Sequence, residues 1–183
     1  TDWYQGTADA VRKQLYEILA TRAKYVLILA GDHLYRMDYR KLFEFHKDRN
    51  ADITVAVKPV SKADVSRFGI LQRDPLGRVI DFYEKPTDPE ILEKLVNCQT
   101  ADKPYLGSMG LYLFNTEVLK TLLGQFPFDD FGGHVIPAAI LSHTVYGYDF
   151  DGYWEDIGTI RSFYDTNLML TGENPPFNFF DPA

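Results

Sequence analysis

A continuous apolar segment, Tyr25 to Ala30, ends at Gly31 and limits the possible folds more than any other feature of the chain. A strand with one face in water alternates polar and apolar residues, whereas an unbroken apolar run predicts a strand buried on both faces. We therefore expect a central, parallel strand here. A second buried strand is predicted over Ile53 to Val57, after a helical pattern that runs up to Asn50. The two strands and the helix between them form a predicted βαβ crossover.

The remaining segments contain further helices, strands and one hairpin. Gly69 to Arg73 and Arg78 to Tyr83 flank a turn with Pro at its second position and Gly at its fourth, which predicts a β-hairpin. Helices are predicted over residues 7–23, 89–96, 116–123, 136–143 and 159–170, and strands over residues 105–115 and 145–150. This order of elements predicts an α/β protein with a mostly parallel sheet covered on both faces.

Length and composition restrict the class of protein and its partners. The 183 residues suit one domain, and 45% of them are hydrophobic, enough for one buried core. The formal charge of -7 argues against a nucleic-acid partner, and no apolar run approaches the roughly 18 residues of a membrane span. The single cysteine, Cys98, excludes an intramolecular disulfide and a multi-cysteine metal site, which suits a reducing compartment.

The two ends of the chain predict a piece of a longer protein. The first residue is Thr1, and neither an initiator Met nor a signal segment is present. The helical periodicity stops at Gly172, and the following residues are rich in Pro and Phe, which is typical of a linker or arm. The predicted organisation is one domain over residues 1–172, followed by a linker over residues 173–183.

Two aspartates are candidates for binding a metal ion. Asp32 directly follows the first buried strand, and the ligand crevice of an open parallel sheet lies at the carboxyl ends of its strands. Asp156 lies just before a predicted helix, and two carboxylates are the usual protein contribution to a Mg²⁺ site. The alternative is that Asp32 caps the next helix and that Asp156 stabilises a helix N-terminus. The sequence alone does not show that the two residues meet.

Glu84 and Lys85 end the second strand of the hairpin, immediately before Pro86. The Lys85 ammonium suits a phosphate group, and the Glu84 carboxylate can accept hydrogen bonds from sugar hydroxyls. Because successive strand residues point to opposite faces, both can reach one ligand only if the strand twists or breaks before Pro86. The alternative is a pair of solvated charges at a strand end.

Gly107 and Gly110 interrupt the predicted strand over residues 105–115 and flank Ser108. Glycine inside a strand predicts either a bulge or a close approach of the backbone to a ligand, and the Ser108 hydroxyl is suited to binding a sugar. A bulge that serves packing alone is the equal alternative. His46 lies on an apolar helix face and is interpreted as a core residue, and the other histidines lack the spacing of a zinc site.

Six segments are spread in order along the whole chain: Trp3-Tyr4-Gln5-Gly6-Thr7-Ala8-Asp9-Ala10, Leu29-Ala30-Gly31-Asp32-His33-Leu34-Tyr35, Phe68-Gly69, Tyr83-Glu84-Lys85-Pro86, Ser108-Met109-Gly110 and Trp154-Glu155-Asp156-Ile157-Gly158-Thr159. Each is a weak signal alone. Together they closely resemble the glucose-1-phosphate adenylyltransferase family, also called ADP-glucose pyrophosphorylases.

The resemblance implies a Rossmann-like, three-layer nucleotidyltransferase domain with a mixed sheet, followed by a left-handed parallel β-helix domain. It implies a Mg²⁺-dependent reaction that joins ATP and glucose 1-phosphate into ADP-glucose and pyrophosphate, for glycogen or starch synthesis. A homo- or heterotetramer in a bacterial cytoplasm is expected, with a plastid as the alternative compartment. Alternative functions are a non-catalytic regulatory subunit that binds sugar phosphate, a plain ligand-binding domain, and a nucleotidyltransferase for another sugar phosphate.

The resemblance also implies a role for each matching residue. Asp32, Lys85 and Asp156 correspond to catalytic residues, and the two aspartates among them to the metal ligands. The implied glucose 1-phosphate contacts are Tyr4, Gly69, Glu84, Lys85 and Ser108, with Lys85 on the phosphate. The implied nucleotide contacts are Gly6, Thr7 and Asp9.

Two departures from the family pattern qualify the resemblance. The Gly-rich loop that holds the ATP phosphates would lie upstream of Trp3, which implies a domain without its first βα unit and without the phosphate loop. We therefore expect the chain alone to be almost inactive but able to bind glucose 1-phosphate weakly. In addition, Gly133-His134 follows Asp130-Phe131-Gly132 where the family pattern has an acidic residue or a lysine.

Overall fold

The computed structural model describes residues 3–97 and 100–178. Cys98 and residues 179–183 of the predicted linker therefore lie outside the described residues. The strands are β1 (Tyr25–Ile28), β2 (His33–Tyr35), β3 (Ile53–Val60), β4 (Gly69–Arg73), β5 (Val79–Glu84), β6 (Tyr105–Asn115), β7 (Val145–Asp149) and β8 (Trp154–Asp156). The helices are α1 (Thr7–Lys13), α2 (Leu15–Ala20), α3 (Tyr39–Asp48), α4 (Pro89–Lys94), α5 (Thr116–Gln125), α6 (Ile136–Ala139) and α7 (Ile160–Leu170).

Six strands form the main sheet, in the order β5-β4-β6-β3-β7, with β1 also paired to β6. β3 and β7 run parallel, whereas β6 is antiparallel to β1, β3 and β4, and β4 is antiparallel to β5. The mixed sheet is therefore confirmed. The expectation of a mostly parallel sheet is wrong. β6 lies between β3 on one side and β1 and β4 on the other, and it runs antiparallel to all three.

The first apolar strand, β1, differs from the prediction in its neighbours. Within the described residues it pairs only with β6, antiparallel, and its four residues are half-buried. A central, parallel β1 is therefore wrong, because an apolar run indicates burial and contains no information on the direction of the neighbouring strand. The crossover is nevertheless real: β1 and β3 both run antiparallel to β6, so α3 connects two strands that point the same way.

Side chains alternate along β6 and divide the core into two layers. Tyr112 and Phe114 pack with residues of α5 and α6 on one face, whereas Leu111 and Leu113 pack with α3 on the other. Helices therefore cover both faces of the sheet, as expected for a three-layer α/β domain. No helix in the described part of the chain is both long enough and apolar enough to span a membrane.

The helix boundaries follow local capping chemistry. Asp38 and Asp88 accept hydrogen bonds from backbone N–H groups at the starts of α3 and α4, and Pro89 occupies the first turn of α4. Thr159 and Ser162 form a reciprocal capping box at the start of α7. The predicted helix over residues 7–23 is divided at Gln14 into α1 and α2.

The end of the described chain contacts the domain. The Arg36 guanidinium donates a hydrogen bond of 2.7 Å to the carbonyl of Asn178. The ring of Phe177 lies 5.8 Å from that of Tyr153, at the loop before β8. These contacts place Phe177 and Asn178 of the predicted linker beside β2 and β8.

Candidate active site

β2 and β8 form a short antiparallel ribbon that is separate from the main sheet. In this ribbon His33 lies opposite Asp156, and the N–H of Ile157 donates a hydrogen bond of 2.9 Å to the Asp32 carbonyl. Neither three-residue strand was predicted, because three residues are too few to show a period of two. The ribbon brings the two candidate metal ligands together from opposite ends of the chain.

Gly158 marks the point on which the two carboxylates converge. A Cβ built on Gly158 lies 3.0 Å from Oδ1 of Asp156 and 3.1 Å from Oδ2 of Asp32. The Gly158 N–H donates a hydrogen bond of 2.8 Å to the same Oδ1 of Asp156, which fixes the direction of that carboxylate. The Asp32 side chain is 64% exposed and that of Asp156 is 23% exposed, so the convergence point is open to solvent.

This pair of carboxylates fits a magnesium ion. Mg²⁺ is held through one or two carboxylates, while water and substrate phosphates complete its coordination. Across residues 3–97 and 100–178, no group of three or more His, Cys, Asp or Glu side chains is arranged to hold a metal. Two carboxylates are the protein contribution expected at such a magnesium site, and the metal role of Asp32 and Asp156 stays a prediction.

The imidazole of His33 connects Asp32 to the bulge in β6. Nδ1 lies 2.8 Å from the Met109 carbonyl oxygen, which can only accept, so this nitrogen donates the hydrogen bond. Nε2 lies 3.7 Å from Oδ1 of Asp32. The His33 ring also packs edge-on against Trp154, with centroids 5.3 Å apart. These contacts fix the loop that presents Asp32.

The predicted bulge in β6 is confirmed at Gly110. The β3–β6 register shifts between Val55 and Val57, and Gly110 has a φ of 64°, in the left-handed region that favours glycine. A Cβ there would lie 3.2 Å from the His33 ring. The bulge therefore allows β6 to approach the segment that ends in Asp32.

Glu84 and Lys85 meet the condition that the sequence set for a shared ligand. β5 ends at Glu84, and Lys85 has a φ of 48°, which breaks the strand before Pro86. As a result Nζ of Lys85 lies 3.6 Å from Oε1 of Glu84 instead of on the opposite face. A non-glycine residue in this conformation costs on the order of 1–3 kcal/mol, and such strain concentrates at functional sites. The Lys85 side chain is 61% exposed.

Two glycines enclose the other oxygen of Glu84. A Cβ on Gly69 would lie 2.8 Å from Oε2 of Glu84, and a Cβ on Gly132 would lie 2.3 Å from it. Burial raises the pKa of Glu84, the charge of Asp130 raises it further, and Lys85 opposes both effects. The missing side chains of Gly69 and Gly132 leave the space that the Glu84 carboxylate occupies.

Glu84 lies on a cleft of about 140 Å³ where several parts of the fold meet. Its walls come from the end of β1, the bulge of β6, the start of α1 and the segment before α6; the lining residues are Thr7, Ile28, Leu29, Ala30, Glu84, Gly110, Tyr112, Asp130, Phe131 and Gly132. Ala30 lines this cleft two positions before Asp32. A larger cleft of about 420 Å³, beside Arg49 and Arg73, contains none of the predicted site residues.

The family model for nucleotidyl transferases matches residues 2–173. The chain belongs to the nucleotidyl transferase family. Membership supports a general sugar-phosphate nucleotidyltransferase activity, and the mixed sheet with helices on both faces is consistent with the expected Rossmann-like domain.

In this nucleotidyl transferase, the start of α1 is bound to its own chain. The backbone N–H groups of Ala8 and Asp9 donate to the Asp129 carbonyl at 2.8 and 3.1 Å, and a Cβ on Gly6 would lie 2.3 Å from that oxygen. The Thr7 hydroxyl donates to Oδ1 of Asp130 at 2.7 Å. Thr7 lines the cleft, whereas Gly6 allows the close packing behind it.

Asp9 is buried and has internal partners on both oxygens. The N–H of Gln5 and the side chains of Arg12 and Lys13 lie 3.0 to 3.2 Å from its carboxylate. The Gln5 hydrogen bond is the main cause of its lowered pKa. Asp9 therefore stabilises the start of α1 in this structure, and its nucleotide contact stays a prediction.

The remaining predicted contacts lie outside the cleft lining. Ser108 is buried, and its hydroxyl accepts a hydrogen bond of 3.2 Å from the Gly110 N–H, which supports the bulge. Tyr4 is exposed, with Nζ of Lys13 5.4 Å from its ring centre. Their sugar-phosphate contacts stay predictions.

Tyr112 and Asp130 line the cleft but received no role from the sequence. Tyr112 lies four residues after Ser108 on the same strand, and their hydroxyl oxygens are 3.5 Å apart. Burial raises the pKa of the Tyr112 phenol, so it stays protonated and able to donate. Four residues span about 13 Å in a regular strand, so the bulge at Gly110 brings the two hydroxyls together and the spacing alone gave no signal.

Proposed function

We propose that this nucleotidyltransferase domain serves a glucose-1-phosphate adenylyltransferase, which joins ATP and glucose 1-phosphate into ADP-glucose and pyrophosphate with Mg²⁺; alone, the domain is expected to be almost inactive. The convergence of Asp32 and Asp156 in front of Gly158 is the observation that carries this proposal. Family membership supports the transfer of a nucleotidyl group. The described lining of the cleft has hydrogen-bonding groups for sugar hydroxyls in Glu84, Tyr112 and Asp130 but no cation, so the phosphate is assigned to Lys85, which lies outside that lining.

Lys85 and Glu84 divide the recognition of glucose 1-phosphate between them. The exposed Lys85 ammonium is free to turn from Glu84 to a phosphate group, since their 3.6 Å separation is a weak, solvent-screened pair. The Glu84 carboxylate borders the cleft and accepts hydrogen bonds from sugar hydroxyls. Tyr112 and Asp130 add a donor and an acceptor on the same cleft.

The reaction forms one bond and breaks one at the α-phosphorus of the nucleotide. An oxygen of the sugar phosphate attacks this phosphorus in line, and the bond to the pyrophosphate oxygen breaks. Lys85 holds the attacking phosphate and offsets its charge, while Asp32 and Asp156 hold the magnesium ion. When bound, Mg²⁺ neutralises charge on the nucleotide phosphates. Positioning and electrostatic stabilisation therefore account for the rate, without a covalent enzyme intermediate.

Pyrophosphate release by the full-length protein, measured with each nucleoside triphosphate and sugar phosphate in turn, tests the proposal. ATP with glucose 1-phosphate is expected to give the highest kcat/KM. A strict preference for another pair would contradict the named substrates while leaving the class of reaction intact. Binding of glucose 1-phosphate without release of pyrophosphate from any nucleotide would favour a regulatory subunit.

A further inference from the structure

Arg67 ends the short 3₁₀ turn before β4 and lies beside Asp156. Its Nη2 is 3.8 Å from Oδ2 of Asp156, and its Nη1 is 3.6 Å from Oδ1 of Asp64. The guanidinium carbon lies 5.1 Å from the centre of the Phe68 ring, which limits where the side chain can move. Among the described residues, Arg67 is the one Lys or Arg that forms an ion pair with Asp156.

The two oxygens of Asp156 thus have different environments. Oδ1 accepts a hydrogen bond from the Gly158 N–H and lies on the side of Asp156 that faces Asp32. Oδ2 lies on the side that faces Arg67. A cation bound between the Asp32 and Asp156 carboxylates would offset the negative charge of Asp156 that Arg67 pairs with in this structure. Arg67 would then repel the bound metal and attract any anion that the metal brings with it.

A cavity of about 180 Å³ lies beside Arg67 and Asp156 and contains two further cations, Lys58 and Lys103. Burial is the main cause of the lowered pKa of Lys58, and the like charge of Lys103 lowers it further. Asp64, Glu155 and Asp156 balance the three cations on the same cavity. Once a metal neutralises Asp156, the cavity has an excess of positive charge next to that metal.

We propose that Arg67 alternates between two anions: Asp156 in the metal-free protein, and a phosphate group in the metal-bound protein. This inference rests on the proposed metal role of Asp156. Arg67 opposes the binding of a metal ion alone and strengthens the binding of the phosphate that accompanies the metal. The two effects have opposite signs, whereas a merely structural role would weaken both kinds of binding.

Two titrations of the 183-residue chain test this inference: Mn²⁺ alone, and inorganic pyrophosphate in the presence of Mn²⁺. Arg67→Gln is expected to bind Mn²⁺ alone about three- to tenfold more tightly, because one nearby, partly screened charge is removed. It is expected to bind pyrophosphate with Mn²⁺ about three- to tenfold more weakly for the same reason. Arg67→Lys should restore most of both values. Arg40→Gln is the matched control, because Arg40 is exposed and pairs with Asp38.

Tighter Mn²⁺ binding together with weaker pyrophosphate binding supports the inference. Unchanged or weaker Mn²⁺ binding by a folded Arg67→Gln variant overturns it, and so does unchanged pyrophosphate binding. If the unmodified chain binds Mn²⁺ neither alone nor together with pyrophosphate, the inference and the metal role in the proposed function both fail. If the unmodified chain binds Mn²⁺ but Arg67→Gln changes neither affinity, the inference fails and the proposed metal role of Asp156 stands.

Discussion

His33 lies directly opposite Asp156 in the β2–β8 ribbon. This pairing brings the loop after β1 and the loop before α7 together, and it places the Asp32 and Asp156 carboxylates on either side of Gly158. The geometry depends on three-residue strands outside the main sheet. Variants at this convergence and at the neighbouring cleft test the proposed chemistry.

Gly158→Ala should weaken metal binding without unfolding the protein. Its Cβ would lie 3.0 and 3.1 Å from the two carboxylate oxygens, so at least one of them must move. We expect weaker Mn²⁺ binding by titration and, in the full-length protein, slower pyrophosphate release, with little change in melting temperature. Gly124→Ala is the control: a Cβ there meets nothing within 4 Å, and alanine should stabilise α5 by about 0.5–1 kcal/mol. Equal Mn²⁺ affinity of Gly158→Ala and the unmodified protein would contradict the convergence.

Lys85→Asn and Asp32→Asn should separate sugar-phosphate binding from metal binding. Asparagine tolerates the left-handed backbone of Lys85, so the variant removes the charge with little added strain. Calorimetry is expected to show glucose 1-phosphate binding about 10- to 100-fold weaker, the range for losing one hydrogen bond to a charged group. Asp32→Asn should leave that binding nearly intact and weaken Mn²⁺ binding. Lys120→Asn serves as the control, because Lys120 pairs with Glu117 on α5. The assigned role of Lys85 is wrong if both lysine variants bind equally well.

Gly132→Ala should displace Glu84, because the new Cβ would lie 2.3 Å from Oε2 of that carboxylate. We expect glucose 1-phosphate affinity to fall by about tenfold or more, as for the loss of one charge-assisted hydrogen bond. Gly133→Ala is an adjacent control, since its Cβ would lie no closer than 3.4 Å to a neighbouring atom. Similar affinities for the two variants would show that Glu84 does not contact the sugar.

His46 should make the protein less stable as pH falls. It is buried between the Thr54 hydroxyl and the Asn115 amide oxygen, and burial lowers its pKa below the usual value of 6.5. The unfolded chain therefore takes up a proton near pH 6.5 that the folded protein resists. The stability that neutral His46 contributes is fully present above pH 6.5. It declines as the pH falls below 6.5, until the lower pKa of His46 in the folded protein is reached.

Urea unfolding at pH 8 and pH 5.5 measures this effect. The free energy of unfolding should fall by up to about 1.4 kcal/mol per pH unit through His46 alone. His46→Gln should remove that part of the slope, while other shifted groups contribute equally to both proteins. Parallel pH profiles of the two proteins would show that His46 does not titrate with unfolding.

Much of the local structure was predictable because it depends on neighbouring residues. Asp74 to Gly77 specify the turn of the β4–β5 hairpin, and Thr159 with Ser162 specifies the start of α7. The glycines around Ser108 predicted either a bulge or a close approach to a ligand, and the structure shows the bulge in β6. Candidate site residues such as Asp32, Glu84 and Lys85 were recognisable from their chemistry and their positions at strand ends.

The amino-acid sequence by itself indicated most of the longer helices and strands, since periodicity and capping are properties of residues close along the chain, but it missed the three-residue strands β2 and β8 and overestimated the burial of β1. Only the tertiary structure decided that β1 pairs antiparallel with β6, that β2 and β8 form a ribbon, and that Lys85 turns back toward Glu84. These features depend on strand pairing between distant segments and on strain that the surrounding fold maintains. The meeting of Asp32 and Asp156 is of this kind, because neither residue alone contains information about the other.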